Sequence, residues 1–352
     1  MTLLQFSTMY FSKAVFSFFL TILFLLLALK LFPKFGFMDN PKKWGFKRDP
    51  IPYSVGIVVV FSFIISVLIF VPIDFTLLLV LISALFLSVV GFIDDKIHLS
   101  PFLRLLCQIF ASVLLVFSGI KLLSFKLPFI GIIPLDMFEV FGVYLLSAFF
   151  LIFWTVLLVN AMNFLDGVPG LNSVVTAIAS FTIFLLSIHS GIHEDPSSQY
   201  ITSILALILG SSALALLFFD FPKPHLLMGD SGSTFFGFML AVLSVISGGK
   251  IATAFLVLGI PLIDLVWVVV RRTIEGKKFW QGDLKHLHHR FLNYGFSEKQ
   301  VVLIYASISL VFGFFAVVFV DSSQKFFTII ALILLISLLA YMLVFGKGFL
   351  KK

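Results

Sequence analysis

The stretch FTLLLVLISALFLSVVGFIDDK, residues 75–96, decides the architecture: nineteen positions without a charged side chain are followed at once by Asp94, Asp95 and Lys96. A helix rises about 1.5 Å per residue, so a run of this length crosses the ~30 Å hydrocarbon core of a bilayer. A membrane barrel strand would instead show ~10-residue segments alternating between apolar and polar. The run therefore reads as one transmembrane helix, near residues 74–93, that ends in two carboxylates at the water interface.

Similar runs lie near residues 12–32, 52–71, 102–122, 139–159, 171–189, 200–219, 232–248, 251–270, 299–320 and 326–346. With 61% hydrophobic residues, 12% charged residues and a mean hydropathy of +1.17, the chain carries more apolar surface than a soluble core can bury. The fold class expected is an all-α integral membrane protein, a polytopic bundle of eleven transmembrane helices. The first run, Ala14 to Phe32, is longer than a signal-peptide core and lacks a small-residue cleavage site, so it is read as a retained span. With no linker, low-complexity segment or internal repeat, residues 1–352 read as one membrane-embedded domain.

Eighteen basic residues fall on one side of this arrangement, among them Lys42, Lys43, Lys47, Lys277, Lys278, Lys285, Lys347, Lys351 and Lys352. Five fall on the other, namely Lys13, Lys121, Lys126, Lys250 and Lys325. The excess marks the first side as cytoplasmic, placing the N-terminus outside and the C-terminus inside. The net charge of +7 is then concentrated where anionic headgroups and phosphorylated substrates are met. Cys107, the single cysteine, lies in an apolar run and excludes a disulfide or a cysteine-cluster metal site. The 47 phenylalanines scatter without a repeat and read as lipid-facing and interhelical packing.

Every unusual polar cluster falls on the cytoplasmic side of the expected topology. Asp94 and Asp95 are adjacent acids that repel, and a divalent cation or a phosphate-bound metal relieves the repulsion. Ser100-Pro101 suits a helix start, with Arg104 either facing a phosphate or snorkelling. In the run from Asn160 to Leu171, Asn160 and Asn163 share a helix face. Asp166 follows, and Gly167 and Gly170 let backbone N–H groups approach an anion. A simple polar turn is the competing reading. In Met228-Gly229-Asp230-Ser231-Gly232-Ser233, Asp230 caps a helix or holds a metal at its mouth. Asp283 begins a basic segment in which His286, His288, His289 and Arg290 form a dense donor set. Transition-metal ligation and pyrophosphate binding compete for it, and the neighbouring cations favour phosphate. Asp264 and Pro261 interrupt the ninth run, the acid facing protein or a cavity and supporting the site from behind, the proline suggesting a kink.

Taken together, the Asp94-Asp95 pair, the NxxNxxDGxxGL run from Asn160 to Leu171, the MGDSGS run at Met228–Ser233 and the HxHHR run at His286–Arg290 resemble the polyprenyl-phosphate N-acetylhexosamine-1-phosphate transferases. The HxHHR form and the eleventh span are similar to the N-acetylglucosamine-1-phosphate branch. The resemblance implies transfer of a sugar-1-phosphate from a UDP-N-acetylhexosamine, GlcNAc first, to undecaprenyl phosphate in a bacterial cytoplasmic membrane, with UMP released on the cytoplasmic side. It implies Mg²⁺, with Mn²⁺ as substitute, held by Asp230 and completed by Asp95. Asp94 would deprotonate or position the lipid phosphate, or an Asp would act as covalent nucleophile. Asp166 and Asn163 would hold the nucleotide, with Asn160 and Gly167 beside them. His286, His288, His289 and Arg290 would grip phosphates or the sugar, His288 joining the catalytic set and Arg104 serving phosphate. The partners implied are the two substrates and the bilayer; a homodimer is compatible and no nucleic acid is involved. Three departures fall where the family meets the base: Pro169 for a second Asp, Asp220 for an Asn and Leu227 for an aromatic. A secondary transporter or cation channel is the rival class, and it calls for acids spread through the bilayer depth and inverted repeats.

Overall fold

A computed structural model describes residues 7–41, 48–127, 130–189, 199–247, 251–276, 286–319 and 321–345. Asp283, Leu284 and Lys285 of the histidine segment, and the basic residues Lys42, Lys43, Lys47, Lys250, Lys277, Lys278, Lys347, Lys351 and Lys352, lie outside the described residues.

The chain is an all-α polytopic membrane protein. Its helices are α1 (Ser12–Leu31), α2 (Gly56–Phe70), α3 (Phe75–Ile97), α4 (Pro101–Phe117), α5 (Leu145–Leu165), α6 (Leu171–Ile188) and α7 (Tyr200–Asp220). They continue as α8 (Asp230–Ile246), α9 (Ile251–Val257), α10 (Gly259–Ile274), α11 (Leu287–Tyr294), α12 (Glu298–Val318) and α13 (Ser322–Phe345). Among the described residues seven helices are long and apolar enough to cross a membrane: α1, α3, α5, α6, α7, α12 and α13. The pair α9 and α10 passes the same test jointly but is bent by 85°, and α2, α4 and α8 are shorter apolar helices of 15, 17 and 17 residues. Each of the eleven expected runs coincides with one of these.

Local chemistry sets several helix starts. Asp74 caps α3 by accepting from Leu77 N at 2.7 Å, and Ser100 caps α4 with Pro101 in its first turn. Ser297 and Gln300 form a capping box on α12. One expectation needs correction. The fifth helix begins at Leu145 rather than 139, because residues 124–144 hold two small antiparallel hairpins, Ser124–Leu127 with Gly131–Pro134 and Glu139–Val140 with Val143–Tyr144. Valine, tyrosine and phenylalanine around Gly142 are as apolar as a span, and hydropathy does not separate a short strand from a helix end. The kink expected near Pro261 is present: the ninth run breaks by 85° at Leu258, between the proline and Val257, the i−4 residue whose carbonyl the proline cannot bond.

Helix α8 is the post around which the rest assembles. Its sequence is apolar on all sides, and it packs against α2, α3, α5, α6 and α7 with nearly every side chain buried. Glycines let the backbones meet: a methyl at Gly91 of α3 would lie 2.5 Å from Asp230 O, and one at Gly56 of α2 would collide with the backbone of Gly232. Hydroxyls join helices where hydrocarbon offers no other partner. Thr21 Oγ1 on α1 meets Ser62 Oγ on α2 at 2.8 Å and Ser212 Oγ on α7 at 3.2 Å, and Trp154 Nε1 on α5 donates to Ser244 Oγ on α8 at 2.8 Å. At the bend, Gly259 opens α10 directly beneath Leu332 of α13, whose side chain is wholly buried and fills the space a Cβ would need.

Candidate active site

The fold brings one end of α3, α5 and α8 and the start of α11 to a common place. Asp94 and Asp95 are adjacent on α3, so their side chains diverge by about 100° around the helix. Asp95 turns toward α8: its Oδ1 accepts from Asp230 N at 3.0 Å and from Tyr53 Oη at 2.7 Å, while Oδ2 accepts from Ser54 Oγ. A carboxylate against the first N–H groups of a helix also meets the positive end of its dipole. Gly229 precedes that helix with φ of 72°, and a Cβ there would collide with Asp95 Oδ2, so glycine is required on both grounds.

Asp94 leaves the Tyr53 side and faces Arg104 and the carboxyl of Asp230, within hydrogen-bond reach of the latter. Asp94 Oδ1 accepts from Leu99 N at 2.6 Å and its Oδ2 from Arg104 Nη1 at 3.1 Å, and the same guanidinium nitrogen lies 3.7 Å from Asp230 Oδ2. Asp94 is thus buried and fully engaged, whereas Arg104 keeps 39% of its side chain exposed at the mouth. Asn163, in the last turn of α5, donates to Asp230 Oδ1 at 2.8 Å and to Ser233 Oγ at 3.1 Å. Asn160 lies one turn deeper, donating to Gln108 Oε1 at 2.7 Å and Val156 O at 2.8 Å, and does not reach the same space.

Several of these groups border a cavity of about 240 Å³. Tyr53, Asn163, Asp166, Gly167 and Asp230 line it together with Met228, and so do Pro169, Asp220 and Leu227, the three positions singled out as departures. Asp220 Oδ2 accepts from Ser173 Oγ at 2.5 Å, while its Oδ1 has no partner among the described residues. Withdrawal from water pushes the Asp166 carboxyl well above the ordinary carboxylate range, and the nearby Asp230, Asp220 and Asp95 push it further.

Helix α11 carries the histidines to the cavity's edge. His288 is buried with no hydrogen-bond partner on either ring nitrogen among the described residues, and its Nε2 would lie 2.9 Å from a Cβ placed on Gly167. Burial, helped by His289 and His286, holds the His288 ring well below the usual imidazole range. The His289 ring stands 4.2 Å from that of His288, and Arg290 N closes the first turn on His286 O at 3.0 Å; both side chains are half-buried.

Sequence reading missed Tyr53, Ser54 and Gln108. Tyr53 and Ser54 follow the Pro50-Ile51-Pro52 segment, and the positive φ of Ser54, 67°, has no signature in residue type. Among the described residues no three His, Cys, Asp or Glu groups converge as a preformed metal cage. Hard carboxylate oxygens beside a cavity nevertheless suit Mg²⁺, which takes one or two carboxylates and completes its shell with water and substrate phosphates. Asp230 Oδ2, facing the mouth, fits that role; both Asp95 oxygens already accept from protein donors.

Carboxylates, amides and imidazoles thus gather at helix ends around one cavity of a helical membrane protein. Residues 77–248 match the model of glycosyl transferase family 4. Relatives of the chain include the probable undecaprenyl-phosphate N-acetylglucosaminyl 1-phosphate transferase of Bacillus subtilis, 28% identical over 74% of this chain and 71% of that one. The decaprenyl-phosphate N-acetylglucosaminephosphotransferase of Mycobacterium tuberculosis is 32% identical over 64% of this chain, which spans 59% of that protein's length. The undecaprenyl-phosphate alpha-N-acetylglucosaminyl 1-phosphate transferase of Salmonella typhi is 29% identical over 94% of this chain and 89% of its own.

Proposed function

We propose that this protein transfers GlcNAc-1-phosphate from UDP-GlcNAc to undecaprenyl phosphate, giving undecaprenyl-pyrophosphoryl-GlcNAc and UMP, the first membrane step of a cell-envelope polysaccharide. A phosphate oxygen of the lipid bonds to the β-phosphorus of the nucleotide sugar, and the bond from that phosphorus to the UMP oxygen breaks. One phosphoanhydride replaces another, so the demand on the protein is positioning and charge stabilisation. The observation that carries the reading is that the Asn160–Leu171 and Met228–Ser233 motifs line one cavity, while Asp95 accepts from Asp230 N and His288 packs against Gly167 of its wall.

In this reading Asp230 holds Mg²⁺, or Mn²⁺ in its place, with Asp95 fixing the backbone of Asp230 from behind. The cation, when bound, neutralises charge on the departing UMP. Asn163 orients the Asp230 carboxylate, Asp166 and Gly167 border the nucleotide, and His288 reaches over Gly167. Arg104 meets the lipid phosphate at the mouth, held there by Asp94, so Asp94 acts as an anchor rather than a base. All eleven helical runs cross the membrane, the N-terminus lies outside and the C-terminus inside, and the cavity opens to the cytoplasm of a bacterial inner membrane.

The test incubates detergent-solubilised protein with Mg²⁺, undecaprenyl phosphate and a panel of nucleotide-activated acetamido sugars, with Asp230→Ala as control. Lipid-dependent UMP release from UDP-GlcNAc, lost in the variant and on chelation, is the expected result. A folded preparation that releases no lipid-dependent monophosphate from any donor overturns the reading.

A further inference from the structure

Asp264 lies outside the cavity, yet it is tied to the histidine helix at two points. Its Oδ1 accepts from Leu287 N at 2.9 Å and its Oδ2 lies 2.9 Å from His286 Nδ1. Both side chains are nearly enclosed, 10% exposed for Asp264 and 4% for His286. The 85° bend between α9 and α10 sets the direction in which α10 carries this residue to the start of α11. The first N–H groups of any helix have no intrahelical acceptor, and here a carboxylate from another helix supplies one.

A carboxylate oxygen only accepts, so the proton of this contact sits on His286 Nδ1, and Nε2 is the nitrogen left for other work. The His286 ring is in turn parallel to that of His288, 3° apart at 5.7 Å, and lies 4.7 Å from Phe164, two residues before Asp166. His288 Nε2 points at Gly167 on the cavity wall. A continuous path of contacts thus runs from Asp264 through His286 to the buried imidazole that packs against Gly167 of the cavity wall.

We propose that Asp264 is a positioning residue, which fixes the Nδ1–H form of His286 and the placement of the histidine helix and so presents His288 to the cavity. The effect on rate rests on the transferase reading above; the effect on the imidazole does not. Asparagine has one acceptor oxygen where two donors converge, so Asp264→Asn must either lose a contact or turn His286 to the form whose bare Nδ1 accepts from the amide, while keeping the size of the side chain.

The test combines a double-mutant cycle with ring-¹⁵N NMR of histidine-labelled protein in detergent, without substrate. Asp264→Asn and His286→Ala each reduce kcat/KM by about 10²-fold, the loss that a misplacement of ~1 Å brings. The double variant is no slower than either alone, and Asp264→Glu recovers part of the rate. The signal assigned to His286 by its loss in His286→Ala shows a single Nδ1-protonated form in the wild type and mixed forms in Asp264→Asn. Multiplicative losses in the double variant, or a wild-type His286 that exchanges between tautomers, overturn the proposal. The wild-type spectrum decides even where Asp264→Asn fails to fold. Absence of transferase activity with a fixed His286 tautomer would sink the assigned reaction and leave the Asp264 contact standing.

Discussion

Replacing Gly91 by alanine adds one methyl group at the place where α3 crosses the start of α8. That methyl would lie 2.5 Å from Asp230 O, 2.6 Å from its carbonyl carbon and 2.7 Å from Ser231 N, all backbone atoms that cannot rotate away. Ordinary contact begins at 3.4 Å, so the helices must part by about 0.9 Å. Adding about that much to the 3.0 Å bond from Asp230 N to Asp95 takes it beyond the ~3.2 Å limit of a sound N–H···O bond. It also moves Asp230 relative to Arg104. A displacement of ~1 Å at reacting groups costs on the order of 10² in rate, equivalent to about 2.7 kcal/mol of barrier. The overpacking itself costs roughly 1–3 kcal/mol of stability. The assay is lipid-dependent monophosphate release, read as kcat/KM and paired with thermal unfolding in the same detergent. The control is Gly210→Ala on α7, where the three atoms nearest the new methyl all belong to the Phe181 ring, the first at 3.0 Å, ten residues from Asp220; its expected effect is a lower Tm with unchanged kcat/KM. A folded Gly91→Ala protein with wild-type kcat/KM, or an equal rate loss in Gly210→Ala, would refute the link between helix contact and carboxylate placement.

Three further outcomes are expected. Because burial keeps the folded His288 neutral while the unfolded chain protonates it below about pH 6.5, the unfolded state binds more protons there and stability falls as pH drops. Wild-type Tm should therefore fall between pH 7 and pH 5.5 more steeply than that of His288→Gln, and equal slopes would remove burial of a neutral imidazole as the cause. For Asp166 the sign reverses: the folded carboxyl holds its proton above the range where the unfolded one releases it, so stability falls as pH rises. The Tm advantage of Asp166→Asn over wild type should grow from pH 5 to pH 8, and a constant difference would contradict that. Asn160→Ala, which breaks a buried amide pair with Gln108, should cost about 0.6 kcal/mol of stability with kcat unchanged, whereas Asn163→Ala should lower kcat. Matching rate losses in both would place Asn160 in the cavity after all.

The helical class was legible because hydrocarbon admits few polar side chains, and runs such as residues 75–93 record that directly. The site's acids, amides and imidazoles were legible as chemistry for the same reason: polar groups at the ends of apolar runs stand out. Their pairing was not. Asp94 and Asp95 read as one diad, yet a single helical step sends one to Arg104 and the other to Tyr53, Ser54 and Asp230 N. Asn160 and Asn163 read as one face, yet 52 residues separate Asn160 from its partner Gln108 and 67 separate Asn163 from Asp230, with no local spacing to announce either contact. The hairpins between α4 and α5 were missed because the two-residue strands around Gly142 are too short for alternation to register.

Gly259 and Leu332 give the last helix a reach that its position does not suggest. Most of α13 faces outward, but Leu332 occupies the hollow at the corner of the broken pair, and the limb beyond that corner carries Asp264. The leucine works as a doorstop: trimming it to alanine would free the corner to relax and let Asp264 drift from the histidines. A random screen for lost activity would then return a buried leucine of an outward-facing helix, with no polar atom beyond its backbone, and its appearance would report on the mechanics of the corner rather than on any contact with substrate.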